Sequence, residues 1–235
     1  MKPDYRKFVF VGAAALLTVA QPAFAEWKND LTLYLWGSDI SGNATVGRQN
    51  VPIDISFDDI LDKLDFGIQA HYEGMGQQWG LGLDFTYLEI SDTTGAGVEA
   101  ESKTVLAEVF GIYRLNAMFD LLAGVRFAGM DLTLTAPGMA QAEGDRSLTD
   151  FFGGLRVKFP LSDTFGVFLR GDAGAGDSDL VWNVVAGLTW QVSKSIAIRG
   201  GYRWLDYDVE NDNVPIEAQL DMRLEGPFLG VGILW

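Results

Sequence analysis

Gly226-Pro-Phe-Leu-Gly-Val-Gly-Ile-Leu-Trp235 is the stretch that decides the fold of this chain. Successive side chains of an extended strand point to opposite faces. One face of this strand is therefore apolar, and it consists of Leu229, Val231, Ile233 and Trp235. Small glycines alternate with these residues on the other face. A broad apolar face opposite small residues is suited to contact with lipid.

This segment resembles the closing strand of Gram-negative outer-membrane β-barrels, in which a terminal aromatic residue is part of the signal that the assembly machinery reads. Phe is the most frequent residue at that position, and Trp235 occupies it here. The resemblance implies an outer-membrane location, with the barrel assembly machinery, outer-membrane lipid and lipopolysaccharide as partners.

The first 25 residues have the pattern of a secretory signal peptide. Basic residues at Lys2, Arg6 and Lys7 precede an apolar run of about 13 residues, and Ala23-Phe24-Ala25 forms a small-x-small cleavage site. The run is well short of the roughly 20 residues that cross a bilayer as a helix, so an uncleaved anchor is disfavoured. We predict a signal peptide over residues 1–25 and a barrel domain over residues 26–235.

Composition limits the classes of function. Removing residues 1–25 takes away three of the 17 basic and one of the 32 acidic residues, which leaves a net charge of −17. This charge excludes nucleic acid as a partner, because phosphate binding needs the opposite sign. The absence of Cys excludes a lipid-attachment cysteine, disulfides and thiolate chemistry. A mean hydropathy of +0.11 in so acidic a chain indicates apolar residues interleaved with polar ones.

Period-two alternation predicts an all-β, closed, antiparallel, up-and-down transmembrane barrel of ten strands, with eight or twelve as alternatives. The predicted strands are Lys28–Trp36, Phe66–Gly74, Trp79–Ser91, Lys103–Leu115, Phe119–Leu134, Leu148–Phe159, Thr164–Ala173, Leu180–Val192, Ile196–Asp208 and Ala218–Trp235. Short and long connections alternate, as periplasmic turns and extracellular loops do in such barrels. The first hairpin is the least certain, because its loop contains another strand-like run, Val51–Phe57.

Aromatic residues recur eight positions apart on one face of four strands. At ~3.3 Å per residue and a tilt near 40°, eight residues rise about 20 Å, close to the apolar band of such barrels. A soluble β-sandwich is the alternative, but it has no reason to repeat this spacing. The predicted aromatic girdle consists of Trp79, Tyr87, Phe119, Phe127, Phe151, Phe159, Trp182, Trp190 and Trp235.

The opposite face of the strands carries charged residues, which we expect to point into the lumen. The predicted lumen charge network consists of Glu73, Asp84, Glu108, Arg126, Arg156, Arg170, Arg199 and Arg203, with Asp150 and Asp172 among the arginines. A ten-stranded bore is narrow, and unpaired buried charge is costly, so these groups are expected to pair across it. A salt-bridged, closed lumen is the preferred interpretation, and a thin charge-lined pore is the alternative.

His71 is the only histidine, and it shares the inward face with Glu73 and neighbours Asp84. A His–carboxylate pair is a possible acid–base centre. His71 lies near a short turn, on the predicted periplasmic side, whereas the enzyme families among outer-membrane barrels work at the extracellular end. We therefore interpret His71 as part of the lumen network. We also predict that the chain is not an enzyme. No sequence pattern predicts a cofactor or a metal.

The first loop contains a short amphipathic helix. Ser56 and Asp59 fit a capping box, and the predicted apolar stripe is Phe57, Ile60, Leu61 and Leu64. A helix of two turns needs a docking surface, which is the barrel mouth if it acts as a plug. Docking in the outer-leaflet interface or acting as a ligand lid are the alternatives. This segment resembles an Asp-rich Phe-x-Asp-Ile-Leu-Asp-x-Leu-Asp-Phe motif shared by a group of Gram-negative outer-membrane proteins. At the level of pattern, residues 26–235 also resemble the small OmpA-like and opacity-type barrels, and neither resemblance brings an activity with it.

The last loop carries Asp206, Asp208, Glu210 and Asp212 on one side of an extended arm. Such oxygen ligands could hold Ca²⁺ or bridge cations to lipopolysaccharide, but a solvated acidic hairpin is the preferred interpretation. Three functions remain: a structural or surface-interaction barrel with a plugged lumen, which we prefer, a small-solute channel, and an outer-membrane enzyme. The sequence predicts no oligomeric state.

Overall fold

The computed structural model describes residues 27–46, 49–93, 99–135, 142–211 and 218–235. The predicted signal peptide lies outside these residues. The elements are β1 (Lys28–Trp36), β2 (Asp39–Val46), β3 (Gln49–Ile55), α1 (Phe57–Asp62), β4 (Leu64–Met75), β5 (Trp79–Thr93), β6 (Glu99–Arg114), β7 (Phe119–Thr135), β8 (Ala142–Pro160), β9 (Phe165–Gly176), β10 (Leu180–Gln191), β11 (Ile196–Asn211) and β12 (Ala218–Leu234). In the described ranges no helix is long and apolar enough to cross a membrane.

Ten antiparallel strands close the barrel, as predicted. β1 pairs with β4, each later strand pairs with the next, and β12 pairs back onto β1. The closing ladder runs from Asp30 opposite Leu234 to Trp36 opposite Phe228. At its end Asn29 and Trp235 exchange two backbone hydrogen bonds of 2.9 and 3.1 Å. The segment quoted first is therefore the closing strand.

The hairpin β2–β3 widens the barrel at its loop end. β2 pairs with the outer part of β12, from Glu225 to Ala218, and β3 pairs with β2. The β1–β4 ladder ends at Leu33 opposite Ala70, so the hairpin and α1 lie where that ladder stops. Ten strands cross the membrane, and the strand-like run noted in the first loop belongs to this extension.

The strands change their polarity pattern partway along their length. In the lower part of β11, apolar Ile196 and Ile198 point outward, and Arg199 and Arg203 point inward. In its upper part the inward residues Leu205, Tyr207 and Val209 are buried, and Asp206 and Asp208 point outward. β12 switches in the same way above Gly226, where Leu224 is buried and Arg223 is exposed. The barrel therefore has a membrane half, which ends in the short turns, and an outer half, which stands in water.

The outer face of the membrane half is largely apolar and exposed, as lipid contact requires. Phe151 is 70% exposed, Trp79 64% and Trp235 63%. Aromatic neighbours reinforce the belt near the turns: Trp79 packs on Tyr113 at 4.5 Å and Phe165 stacks on Trp190 at 5.8 Å between ring centroids. All nine predicted girdle residues lie on the outward face of their strands, namely Trp79, Tyr87, Phe119, Phe127, Phe151, Phe159, Trp182, Trp190 and Trp235.

Helix α1 has the predicted cap. The Ser56 hydroxyl accepts a hydrogen bond from the Asp59 backbone N–H at 3.2 Å, and the Asp59 carboxylate accepts from the Ser56 backbone N–H at 3.3 Å. The helix ends at Asp62, so the prediction that Leu64 belongs to its apolar stripe is wrong. Leu64 begins β4, because pairing with β5 replaces the next helical turn.

Candidate functional site

The inward side chains fill the lumen in layers. In the outer half they form a cluster of buried apolar residues, which we call the apolar layer: Trp36, Leu106, Ala128, Leu148, Val181, Leu205, Tyr207, Val209 and Leu224. Val181, Leu205 and Tyr207 have 0% exposure. The outer half thus has a hydrophobic core of the kind that a water-soluble barrel has.

Below the apolar layer, three arginines and three carboxylates form the charged layer: Asp84, Glu108, Arg126, Arg170, Asp172 and Arg203. Glu108 accepts from all three arginines at 2.8 to 3.0 Å. Asp172 accepts from Arg126 at 2.7 Å and from Arg170 at 2.8 Å. The formal charges balance, and each ion has hydrogen-bonded partners, which lowers the penalty for burying charge. Arg126 Nη1 is the exception in this layer, since it is buried and has no partner among the described residues.

Arg203 offsets the repulsion between two carboxylates that the strand register places opposite each other. Asp84 and Glu108 face each other directly across β5 and β6, and like charges at such positions repel. Arg203 reaches across the bore, and its two terminal nitrogens donate to Asp84 at 3.1 Å and to Glu108 at 3.0 Å. Its Nε donates to Asn183 Oδ1 at 3.0 Å. The guanidinium therefore bridges Asp84 and Glu108, which would otherwise repel each other across the two strands.

Aromatic rings cover the arginines. The Arg126 guanidinium lies 4.7 Å from the Phe152 ring centroid, Arg170 lies 4.8 Å from Phe110, and Arg203 lies 4.7 Å from Trp36. Cations over aromatic faces are stabilised by the ring quadrupole, most strongly where water is excluded. Gly82 makes room for one of these rings, since a Cβ there would lie 2.1 Å from Phe110 Cζ.

Nearer the turns lies a second group, the basal cluster, which consists of Glu73, Arg114, Asp120, Arg156 and Lys158. Arg156 pairs with Glu73 and, at 2.8 Å, with Asp120. Lys158 Nζ lies 2.7 Å from Asp120, and Arg114 Nε lies 3.8 Å from it. Three cations thus surround two carboxylates, so the basal cluster, unlike the charged layer, has a cationic surplus.

His71 links the two groups. Its Nδ1 lies 2.9 Å from Asp84 and its Nε2 lies 3.1 Å from Glu73. Both ring nitrogens are therefore engaged by carboxylates of the network. A histidine in this position orders the lumen network, whereas an acid–base catalyst needs one nitrogen directed at a substrate.

A cavity of about 1080 Å³, which we call the vestibule, occupies the lumen below the charged layer. Turn residues Gln77, Gln78 and Asn116 form its mouth, and Trp36 and Arg203 lie at its inner end. The vestibule therefore opens at the turn end of the barrel. The charged layer and the apolar layer separate it from the loop end.

The structure brings seven of the eight predicted lumen residues into one continuous network: Glu73, Asp84, Glu108, Arg126, Arg156, Arg170 and Arg203. Arg199 lies apart and pairs with Asp30, which the sequence did not single out. Asp120, Lys158 and Asn183 were also missed. Their inward parity was the available signal, since each shares a face with a predicted lumen residue on its strand or its neighbour.

Helix α1 lies against the outer end of the barrel. The Phe57 backbone N–H donates to Asp39 at 2.7 Å, its ring packs against Gly37, and Lys63 pairs with Asp92 at 2.9 Å. Ile60 is buried, but Leu61 is exposed, contrary to the predicted stripe. The Ser56 hydroxyl and backbone N–H lower the pKa of Asp59, and the Asp92 carboxylate raises the pKa of Lys63. The plug role itself stays a prediction.

The acidic arm is only partly described. Asp206 accepts from Arg223 at 2.7 Å, and Asp208 faces Asp221 on β12. The Glu210 side chain and Asp212 lie outside what the structure describes. Within the described ranges, histidine and acidic side chains form no group of three or more that could hold a metal ion.

No protein-family model and no curated protein matches this chain. Among solved structures, the outer-membrane protease OmpT of Escherichia coli aligns with a TM-score of 0.54 and 11% identity, over 93% of this chain and 99% of OmpT. Ail of Yersinia pestis, in complex with the heparin analogue sucrose octasulfate, aligns with a TM-score of 0.45 and 8% identity, over 89% of this chain and 99% of Ail. A Pseudomonas aeruginosa FadL homologue aligns with a TM-score of 0.39 and 10% identity, over 89% of this chain and 90% of the homologue. The OmpT likeness shows the fold alone: an outer-membrane β-barrel.

Proposed function

We propose that this chain is an integral outer-membrane barrel with a closed lumen and a structural or surface-interaction role. The observation that carries the proposal is the filled bore. Arg126 is 1% exposed and Glu108 3%, and above them each residue of the apolar layer is at most 8% exposed. Two successive layers of buried side chains across the bore support a lumen that is closed to solutes.

The outer half supports a role at the surface. In β8, residues Ala142–Asp150 lie above Phe151, the outer girdle residue of that strand. At ~3.3 Å per residue and a tilt near 40°, these nine residues reach about 20 Å beyond the membrane. The barrel wall therefore rises well above the lipid and carries its loops there, where other molecules at the cell surface are within reach.

Planar-bilayer recording of the purified full barrel tests closure. We expect no steady single-channel current at any holding potential that the membrane tolerates. A variant with Arg126, Leu205 and Tyr207 all changed to Gly serves as the open control, provided that its heat-dependent gel shift shows a folded barrel. Steady current through the unaltered protein would contradict the proposal.

A small-solute channel is the second candidate, and the vestibule favours it because half of the lumen is already open. In that case the wild-type protein conducts, and Arg156→Gln or Arg170→Gln changes the conductance or its ion preference. An enzymatic role has less support, since both ring nitrogens of His71 are engaged by Asp84 and Glu73.

The proposal includes a route to the outer membrane: export by the predicted signal peptide over residues 1–25, then assembly through the closing strand. Trp235 ends that strand in the belt near the turns, whereas Arg223 stands in the outer half. We expect deletion of Trp235 to reduce the folded outer-membrane yield severely and Arg223→Ala to leave it unchanged. Equal yields of both variants would contradict the closing-strand signal.

A further inference from the structure

The vestibule concentrates positive charge in a strongly acidic protein. Among the basic residues that the structure describes, seven point into the lumen. They are Arg114, Arg126, Arg156, Lys158, Arg170, Arg199 and Arg203. The arginines of the charged layer are balanced by carboxylates, and Arg199 is paired with Asp30. The unbalanced cations are those of the basal cluster, beside the mouth.

The basal cluster exposes two of its cations and buries the carboxylate that lies between them. Asp120 has 0% exposure, whereas Arg114 is 33% exposed and Lys158 30%. The 3.8 Å separation between Arg114 and Asp120 is too long for a hydrogen bond. The guanidinium fork of Arg114 is therefore available to an oxyanion, which it can bind through two parallel hydrogen bonds. The Lys158 ammonium pairs with Asp120 at 2.7 Å and has further N–H donors for the same oxyanion.

Part of the remaining lining suits an apolar or aromatic body. Tyr34, Trp36, Phe168 and Phe228 line the vestibule beyond the basal cluster. The indole nitrogen of Trp36 is buried and has no hydrogen-bond acceptor among the described residues. A volume of about 1080 Å³ is at the upper end of the usual range for small-molecule sites.

We propose that the vestibule binds a small organic anion, with its carboxylate or phosphate on Arg114 and Lys158 and its apolar or aromatic body against the inner wall. The ligand enters at the turn end, past Gln78 and Asn116. This site goes beyond the proposed structural role. It does not depend on closure of the lumen, because binding at one end and conduction through the barrel are separate measurements.

The probe is 4-fluorophenyl phosphate, followed by ¹⁹F NMR line broadening with the full barrel in an uncharged detergent. Uncharged 4-fluorobenzyl alcohol is the control compound, which reports how much of the line broadening comes from partition of the aromatic ring into the micelle. We expect saturable binding of the phosphate alone and about a tenfold loss of affinity in Arg114→Gln and in Lys158→Gln, since each removes a charged hydrogen-bond donor. Lys194→Gln, in another turn and outside the vestibule lining, is expected to bind as the wild type does.

A second measurement tests the entry route. The chain has no cysteine, so Ala117→Cys places a single thiol at the mouth of the vestibule, and Lys194→Cys places one on the turn between β10 and β11, away from the mouth. Labelling with a bulky maleimide is expected to abolish probe binding in the first variant only. The proposal is overturned by equal affinity of wild type and a folded Arg114→Gln, Lys158→Gln double variant, by equal binding of the neutral probe, or by no saturable binding.

Discussion

The membrane half and the outer half of the barrel use the same strands with opposite polarity. In β11, Arg199 and Arg203 point inward below, and Leu205 and Tyr207 point inward above. The outward face changes from isoleucines to aspartates over the same length. Because lipid stabilises the apolar exterior of the membrane half, its interior is free to be polar. The outer half stands in water, so its apolar residues must be inside.

The largest expected effect comes from unbalancing the interior of the membrane half. Glu108→Gln leaves three arginines with two carboxylates in a buried layer, which is expected to cost about 3–5 kcal/mol. Lys158→Gln removes a cation that is a third exposed to water and leaves Asp120 paired with Arg156, so its cost is expected below about 1 kcal/mol. Urea unfolding in detergent micelles measures both. Equal destabilisation would show that the two ion-pair groups are not different in kind.

A matched glycine pair tests the two faces of the membrane half. A Cβ at Gly82 would lie 2.1 Å from the Phe110 ring, which Arg170 covers, so Gly82→Ala is expected to cost about 1–3 kcal/mol. At Gly153, on the lipid face, the nearest atom would lie 3.9 Å away, and Gly153→Ala is expected to stay within about 0.5 kcal/mol. The same unfolding measurement applies. A costly Gly153→Ala would mean that the exterior is not free lipid-facing surface.

A tyrosine pair compares the two interiors directly. The Tyr207 hydroxyl, in the apolar layer, is buried and has no hydrogen-bond partner among the described residues, so Tyr207→Phe is expected to be neutral or to stabilise by about 1 kcal/mol. Tyr34 donates to Asp84 at 3.0 Å, so Tyr34→Phe is expected to destabilise by about 1.5 kcal/mol. The measurement is the free energy of unfolding of each variant relative to the wild type. The same sign for both would contradict the contrast between interiors.

The smallest effect concerns pH and the exposed cap of α1. The pKa of Asp59 is lowered from its ordinary 3.8 by hydrogen bonds from Ser56, so the cap is complete above that value and is lost as pH falls through the lower folded pKa. Carboxyl ¹³C NMR follows the titration. Ser56→Ala is expected to return the pKa of Asp59 toward 3.8, and an unchanged titration would exclude the cap as its cause.

The membrane half could be predicted from the sequence because lipid and lumen impose strict alternation. β1 was predicted with its observed bounds, and the closing segment begins at Ala218 as observed. The outer half was predicted less well, and β6 and β8 begin several residues earlier than expected. In β2, Gly42 and Asn43 read as turn residues. Gly42 has a φ of 153°, and a Cβ at this position would lie 2.0 Å from the Asp221 carbonyl oxygen on β12. The need for glycine at position 42 therefore comes from the close approach of the paired strand, which the sequence alone does not reveal.

The members of the charged network could be predicted from parity, but their partners could not. Glu108 faces Arg126 on the adjacent strand, which register alone provides. Its bonds to Arg170 and Arg203 depend on the width of the bore and on the length of the side chains that cross it. Asp120 and Lys158 share the inward face of their strands with Arg126 and Arg156, so their place in the lumen could be predicted, but their pairing with each other could not.

The change of polarity at Gly226–Pro227 fixes the height of the lipid band. From Trp235 to Pro227 is eight residues, which rise about 20 Å at ~3.3 Å per residue and a tilt near 40°. A bilayer with a hydrocarbon core of about 30 Å must thin around such a band or cover charged side chains with lipid, and both cost free energy. Hydrophobic mismatch therefore disfavours thick membranes for this barrel and favours the thinner bilayer of the bacterial outer membrane.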